Sequence, residues 1–446
     1  MTIHNNFALF SAAILASTLF FAACSDDSSS APEEKTSHEE ETSHEEHHGH
    51  HMEELSAGDL TLGDEDIQDG FIFLQDTTIN GVLTISTTTP GATVLKNVKV
   101  TGNLLIKRSG RVDFSGSADV VHVGSNNTDV YAFEDEAQVN GHHFMGKNNT
   151  FTTKSFAEYQ NVDWTEKSVD LATGIHLAYT VTGDEKGTPV VLIHGLTDGR
   201  VSWSQVAPSL AKKGYRVYVP EYRGNGKTDK PIDESSYSVA ELASDIAAFV
   251  EKLGLKKVHI VGHSLGAFIA QELSITNAEI VSSITLIGSG ASVDKKNATL
   301  DWLVNGTDDE SFDGIYAYDS TQKLPESFIQ AWGYSTNPDK DFQAANLEHL
   351  KQVPYYVWKY LVKNLLKIDN TKRLSSIVTD VQIIWGTKDA LFDSESQKTL
   401  QKGLSKAKSV VFHEVEGADH NTHWGSAEDV KTVTGYIDEF IKSLKK

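Results

Sequence analysis

The sequence predicts an α/β fold with a mostly parallel sheet in its C-terminal part, preceded by a smaller all-β unit. Three observations carry this expectation. From about Asn161 onward, continuous apolar strands alternate with amphipathic helices, the order that builds a parallel sheet. Between Leu55 and about Tyr159, short strand-like runs and turns recur with no helical periodicity. Ahead of both lies a tract too polar to form a core. The 446 residues suffice for two or three domains at roughly 150 residues each, and a hydrophobic content of 39% can supply a large core. With 39 Lys and Arg against 62 Asp and Glu, the net charge is −23, which excludes non-specific nucleic-acid binding.

The first 24 residues read as a targeting signal. Phe7–Ala23 is an apolar run, slightly short for a membrane span of about 20 residues, and it ends in small residues. Phe21-Ala22-Ala23-Cys24 resembles the cleavage box of bacterial lipoproteins, where the peptide is cut before a cysteine that is then lipidated. The resemblance implies a lipid anchor on Cys24 and a cell-envelope location on the periplasmic or outer-membrane side. Phe21 stands where leucine is usual, and the first six residues carry no Lys or Arg. An ordinary secretory peptide or an uncleaved anchor is the alternative. Cys24 is the only cysteine, so a disulfide within the chain is excluded.

Residues 25–54 lack aromatic and β-branched aliphatic side chains and repel themselves, so the expectation is a disordered acidic tether. Thr-Ser-His-Glu-Glu occurs at Thr36 and again at Thr42, and the tract ends in His47, His48, His50 and His51. Imidazoles beside carboxylates can bind Zn²⁺, Ni²⁺ or Cu²⁺, here weakly, because nothing fixes the geometry of the ligands. No structured metal site is expected.

The all-β segment, residues 55–159, contains a repeat. Gly81, Gly102, Gly124 and Gly146 close the similar stretches TING, KVTG, VHVG and HFMG, at spacings of 21, 22 and 22 residues. The first two continue as VLTI and NLLI, the last two as SNNT and KNNT. A fixed period with one strand–turn pattern per unit suggests a β-solenoid-like stack of coils, with a small β-sandwich as the alternative. No carboxylate pair or histidine cluster there looks catalytic. A spacer, oligomerisation or glycan-contact role fits better.

In the α/β part, His176–Gly183, Pro189–Gly195 and Tyr215–Gly224 read as strands. Between Ser238 and Gly254, one helical face gathers Val239, Leu242, Ile246, Phe249, Val250 and Leu253, with polar residues before it and Gly254 after it. Then comes the strand KVHIVG and, after Ser264, the helix GAFIAQELS. Gly262-His263-Ser264-Leu265-Gly266 therefore falls on a strand-to-helix turn, the setting in which G-x-S-x-G exposes a nucleophilic serine above a sheet. A serine needs a base and an orienting acid. Both follow in order: VQIIWGTKDALF (Val381–Phe392) reads as a strand followed by a loop carrying Asp389, and KSVVFHEVEGADHNTHW (Lys408–Trp424) as a strand followed by a loop carrying His420. Each sits beyond a strand's carboxyl end, where open α/β sheets place their sites.

Taken together, VVLIHGLTDGRVSW, YVPEYRGNGKT, VGHSLG, IIWGTKD and VEGADHNTHW make the region from about residue 165 to 446 similar to the α/β-hydrolase fold family, and to its esterase- and lipase-like serine hydrolases in particular. The resemblance implies an α/β-hydrolase sheet over residues 160–446 with a helical cap at about 292–374. It implies a Ser264–Asp389–His420 triad and an oxyanion hole formed by the backbone N–H groups of Leu196 and Leu265. Three positions depart from the family pattern. Asp419 stands where glycine usually precedes the catalytic histidine, Glu221 where aspartate is common, and His423 lies close enough in sequence to compete as base.

Between Ser292 and about Leu374 the sheet pattern breaks into NATLDWLV, PESFIQAWG and PYYVWKYLVKNLLK, which read as helices over a pocket. Trp302, Phe328, Trp332, Tyr355, Tyr356, Trp358 and also Trp203 are candidate substrate-lining groups, with Trp203, Trp332 and Trp358 foremost; each also suits simple packing. Within this family, epoxide opening and dehalogenation use a carboxylate at the elbow, so Ser264 points to acyl transfer from a small-molecule or lipid carboxylic ester through an acyl-enzyme, without a cofactor. Perhydrolase, C–C hydrolase and iminopeptidase reactions share the triad. A catalytically inactive surface lipoprotein for binding or metal handling is the alternative from a different class.

Overall fold

Among the described residues, the first sheet contains ten strands, and they pair only in parallel. They are β1 (Leu60–Leu62), β2 (Phe71–Gln75), β3 (Thr78–Ile79), β4 (Leu83–Ile85), β5 (Ala92–Val100), β6 (Leu104–Ile106), β7 (Gly110–Val123), β8 (Thr128–Tyr131), β9 (Ala137–Phe144) and β10 (Thr150–Thr152). The computed structural model describes residues 58–132, 137–152, 165–307, 312–318, 324–333, 337 and 339–445. The apolar N-terminal run, Cys24, the acidic tether and His47, His48, His50 and His51 lie outside the described residues.

Register explains the repeat in the sequence. Leu60, Leu83, Leu104 and Val121 are successive partners across β1, β4, β6 and β7, and Leu62, Ile85, Ile106 and Val123 form the next column. Leu83, Leu104, Val121, Ile85, Ile106 and Val123 are fully buried, so identical spacing along the chain becomes an apolar stack across it. The recurring glycines stack as well: the Gly102 N–H donates to the Gly81 carbonyl at 2.9 Å. The SNNT and KNNT turns lie on one another, with Asn148 Nδ2 donating to Asn127 Oδ1 at 3.1 Å and Lys147 N–H to Asn126 Oδ1 at 2.7 Å. Asn127 and Asn148 both take the left-handed conformation, φ 53° and 56°, which asparagine tolerates better than most residues.

The second sheet runs β11 (Thr165–Asp170), β12 (His176–Thr182), β14 (Tyr215–Pro220), β13 (Thr188–Ile193), β15 (Val258–His263), β16 (Val281–Ile287), β17 (Asp380–Gly386) and β18 (Ser409–Val415) in spatial order. Among the described residues of this sheet, only the pairings β11–β12 and β12–β14 are antiparallel. Helices α1 (Val206–Ala211), α2 (Val239–Lys252), α3 (Leu265–Thr276), α8 (Ser394–Gly403) and α9 (Ala427–Ser443) connect and cover it. Between β16 and β17 lie α4 (Ala298–Asn305), α5 (Glu326–Trp332), α6 (Lys340–Gln352) and α7 (Tyr355–Leu365).

Alternation along a strand splits the core in two. Val190 and Leu192 pack with Val206, Leu210, Val433 and Ile437 on the face covered by α1 and α9. Val191 and Ile193 pack with Leu242, Ile246, Phe249 and Phe268 on the face covered by α2 and α3. With both faces covered, β13 reads as an unbroken apolar run from Val190 to Ile193. Ser238 caps α2 by accepting from the Glu241 N–H.

Helix α6 has no counterpart among the helices expected from sequence. Its buried positions include Phe342, Asn346, His349 and Leu350, at correct helical spacing, but two of these are polar. An apolar-periodicity reading overlooks such a stripe.

The two sheets belong to one compact unit, Glu53–Lys446. Phe71 of β2 meets Tyr356 of α7 edge-on, with ring centroids 4.9 Å apart, and Phe71 and Ala92 join the α2–α3 side of the core. Lys96 pairs with Asp229 at 2.5 Å, and the Tyr131 hydroxyl donates to the Lys351 carbonyl at the end of α6 at 3.3 Å. Tyr356, expected among pocket-lining groups, is buried against Phe71 and donates its hydroxyl to the Lys230 carbonyl at 2.9 Å.

Candidate active site

Ser264 stands between the end of β15 and the start of α3 with φ 51° and ψ −116°. For a residue with a Cβ this conformation costs about 1–3 kcal/mol and persists only where its surroundings enforce it. They do so here. The Ser264 N–H donates to the Ile287 carbonyl of the neighbouring strand at 2.9 Å. A Cβ at Gly262 would collide with the Gly266 carbonyl, and one at Gly266 with the Ile193 carbonyl, so both flanking glycines are required by close backbone approach. The turn lifts Ser264 to the carboxyl end of the sheet while leaving it 8% exposed.

Asp389 and His420 arrive on the loops after β17 and β18, and they meet. His420 Nδ1 lies 3.0 Å from Asp389 Oδ2 and 3.1 Å from Oδ1. A carboxylate only accepts, so Nδ1 carries the proton and Nε2 is left as the basic nitrogen. Asp389 Oδ1 also accepts from the N–H groups of Leu391 (2.8 Å) and Phe392 (3.0 Å), which fixes its orientation. Burial works to raise the Asp389 pKa, but the His420 charge, the bond to it and these amides outweigh burial and hold the carboxyl below its ordinary range. Burial likewise works to lower His420, and the Asp389 charge and hydrogen bond, aided by Asp419 and Asp198, push it above its usual value. No hydrogen bond joins His420 to Ser264 Oγ among the described residues; in unliganded sites this contact is often long and tightens when substrate binds.

His423, the competing base, is placed differently. Its ring is fully buried between Trp203 (centroids 4.2 Å apart) and His263 (4.3 Å), and neither nitrogen has a hydrogen-bond partner among the described residues. Burial, with His263 and His420 nearby, pushes its pKa well below the ordinary value. Asp419 is exposed and outside the left-handed region, which Gly417 occupies with φ 78°, so the backbone does not demand glycine at 419.

The turn after β13 is held from behind. The Tyr222 hydroxyl donates to the Gly195 carbonyl at 2.5 Å, and the His194 ring stacks on Tyr222 with centroids 4.0 Å apart. In a trans peptide the C=O and the following N–H point in opposite directions, so anchoring Gly195 O on Tyr222 turns the Leu196 N–H away from it. Leu265 is the first residue of α3, where an N–H has no intrahelical acceptor. Neither amide donates to a protein acceptor among the described residues. Two unpaired donors, one of them at a helix N-terminus, suit a developing negative charge.

Glu221, where aspartate is common, is buried close behind this turn. Its Oε1 is 3.7 Å from Arg200 Nε and 3.9 Å from His349 Nδ1. Burial works to raise its pKa, and Arg200, His349 and His194 more than offset this.

Of the three tryptophans singled out from the sequence, Trp332 and Trp358 meet, and Trp203 lies apart from them. Trp203 is fully buried in the core beneath α1 and α9. Trp358 is also fully buried, edge-on to Phe328 at 5.2 Å and to Trp332 at 5.6 Å. Trp332 is half-buried and stacks on Trp302 at 6.5 Å. Sequence reasoning missed Tyr222 and His349. The first lay in plain view in VPEYRG, but only the fold shows that its hydroxyl reaches Gly195.

A family model described as alpha/beta hydrolase fold matches residues 188–427, more than half of the chain, and the chain belongs to this family. It is a hydrolase of that superfamily. It is similar to Epoxide hydrolase 1 of Caenorhabditis elegans, 26% identical over 322 residues that cover 68% of this chain and 77% of that protein. It is also similar to 2-hydroxy-6-oxononadienedioate/2-hydroxy-6-oxononatrienedioate hydrolase 1 of Pseudomonas putida, 28% identical over 292 residues covering 61% of this chain and 93% of that protein. The crystal structure of an esterase from Rhodococcus sp. ECU1013 shares the fold with a TM-score of 0.52 at 23% identity, over 63% of this chain and 99% of that one.

Proposed function

We propose that the protein is a serine carboxylic-ester hydrolase working through Ser264, Asp389 and His420. The observation that carries this reading is a serine, not a carboxylate, at a strained elbow whose flanking loops present a bonded Asp389–His420 pair. That residue type separates this chain in chemistry from the epoxide-hydrolase activity named for one of its relatives. His420 Nε2 takes the Ser264 proton as Oγ attacks the ester carbonyl carbon. The tetrahedral oxyanion forms against the Leu196 and Leu265 N–H groups, each such donor contributing about 10²–10³ in rate. Collapse expels the alcohol, protonated by His420, and leaves an acyl-Ser264. His420 then deprotonates a water that attacks this ester and releases the acid. Asp389, ionised and fixed, stabilises the imidazolium in both steps.

Helices α4–α7 act in this reading as the cap that selects the substrate, and residues 60–152 as a β-solenoid-like unit whose parallel registers and stacked turns support that description. Fluorophosphonate labelling and p-nitrophenyl ester turnover test the proposal. Wild type labels and turns over, and Ser264→Ala loses both, with kcat down by about 10⁴-fold or more. Labelling that survives Ser264→Ala would sink the assignment.

A further inference from the structure

The catalytic reading leaves a buried polar group unused. His349, on α6, is 3% exposed and packs directly on Gly199, where a Cβ would collide with the imidazole. Gly199 ends the Leu196–Gly199 turn that offers one oxyanion donor. At the other end of the turn, His263 lies against Gly195; Asp198 is 3.7 Å from His263 Nδ1, and His263 Nε2–H donates to the His420 carbonyl at 3.1 Å. The turn is thus held between an imidazole from α6 and an imidazole from the nucleophile elbow. Glu221 and Arg200 stand behind it and are themselves buried.

Helix α6 is pinned along its length. Near its start, Phe342 meets Trp424 edge-on at 5.6 Å, just beyond His420 in sequence, and Val201 completes that small cluster. Asp339 caps the helix by accepting from the Asp341 and Phe342 N–H groups. Near its end, His349 seats on Gly199, and the Lys351 carbonyl receives the Tyr131 hydroxyl. One rigid element therefore touches the loop that carries the base and the turn that carries an oxyanion donor.

We propose that His349 is a positioning residue: seated on Gly199, it fixes the Leu196–Gly199 turn so that the Leu196 N–H meets the oxyanion as it forms. This rests on the serine-hydrolase reading above. The imidazole suits the role in shape and polarity. It is flat enough to lie against a glycine backbone, and its Nδ1 faces the buried Glu221 carboxylate at 3.9 Å, where an apolar side chain would set hydrocarbon against that charge. The contact concerns a donor used more strongly in the transition state than in the bound ester, so its loss appears in kcat more than in KM.

The test compares His349→Ala, His349→Phe and His349→Gln in the full chain. Active sites are counted by fluorophosphonate titration, and kcat per active site and KM are measured with p-nitrophenyl butyrate. The expected result is a fall in kcat per site of about ten- to a hundredfold for Ala and Phe, KM within about twofold, and partial recovery in Gln, which keeps a polar group. A purely structural role would lower the melting temperature and the count of active sites and leave kcat per site unchanged. Should Ala fail to fold, Phe and Gln, which keep the volume, carry the comparison. Unchanged kcat per site in Phe, with wild-type labelling intact, overturns this proposal alone. Labelling of Ser264→Ala overturns the serine reading and this proposal with it.

Discussion

The molecule builds a parallel sheet and a mostly parallel one by different means. In the second, each parallel step is made through a crossover, and the strands are covered on both faces by helices such as α1, α2, α3 and α9. In the first, strands about one repeat apart pair directly, Leu83 with Leu104 and Leu104 with Val121, without intervening helices. The difference decides where chemistry can be placed. Helical crossovers bring the chain back to the same edge each time, so loops after successive strands converge there, and Ser264, Asp389 and His420 gather on that edge. Short turns in the first sheet stack like upon like, and the result is ladders of asparagine and columns of leucine rather than a convergent site.

If that contrast is right, the largest effects belong to the second sheet's edge. Asp389→Asn keeps the size of the side chain and removes the charge. Ester turnover should fall by about 10³–10⁴-fold, because the amide no longer fixes the His420 tautomer or stabilises its cation. The pH profile should move as well. His420 must be neutral to act as base, and the Asp389 charge holds its pKa above the ordinary 6.5, so wild-type kcat/KM rises with pH through a midpoint above that value. Without the charge, burial dominates and lowers the pKa, and the acid limb shifts to lower pH. A limb that stays in place would mean that Asp389 is not the partner sensed by His420. Stability follows the same sign. The raised His420 pKa stabilises the fold below pH ~6.5, and that contribution disappears as pH rises through the raised value.

The next effect belongs to the first sheet and should be one of stability alone. Leu104 is fully buried between Leu83 and Val121. Leu104→Ala should cost about 2–5 kcal/mol through lost burial and the cavity left behind. Denaturant titration measures it, and kcat per active site should remain within about twofold. A cost below ~1 kcal/mol would show that the column is not packed as described and would undercut the β-solenoid reading of residues 60–152.

How much of this was legible in the sequence follows from the same contrast. The positions of Ser264, Asp389 and His420 were readable because strand, loop and residue type coincide at each, and each lies at the end of the strand that the sequence placed before it. The glycine period was readable because stacking forces the same backbone approach at Gly81 and Gly102. Helix α6 was not, because Asn346 and His349 interrupt its buried stripe with polar groups whose partners lie far away in sequence. Nor was the environment of Trp203. An aromatic residue near the His-Gly turn suits a pocket wall and a core equally well, and only the packing on His423 and α1 separates them. Tyr356 shows the same limit: its ring contacts Phe71, from a sheet that sequence reasoning treated as separate.

The smallest expected effect asks whether the two sheets communicate. Tyr131 of the first sheet donates its hydroxyl to the Lys351 carbonyl, two residues beyond His349 on α6. Its ring also lies under the Arg111 guanidinium, 4.0 Å from the ring centroid, and Arg111 pairs with Asp113 at 2.7 Å. Tyr131→Phe keeps the ring and its cation contact and removes only the hydroxyl, so the expected cost is about 0.5–1.5 kcal/mol of stability. The carbonyl it leaves sits at the last turn of α6, where the backbone already has unsatisfied acceptors, and His349 stays seated on Gly199. Ester kcat should therefore hold within about twofold. A tenfold loss in kcat with little change in stability would show that the first sheet sets the position of α6, and the division between a structural sheet and a chemical one would have to be redrawn.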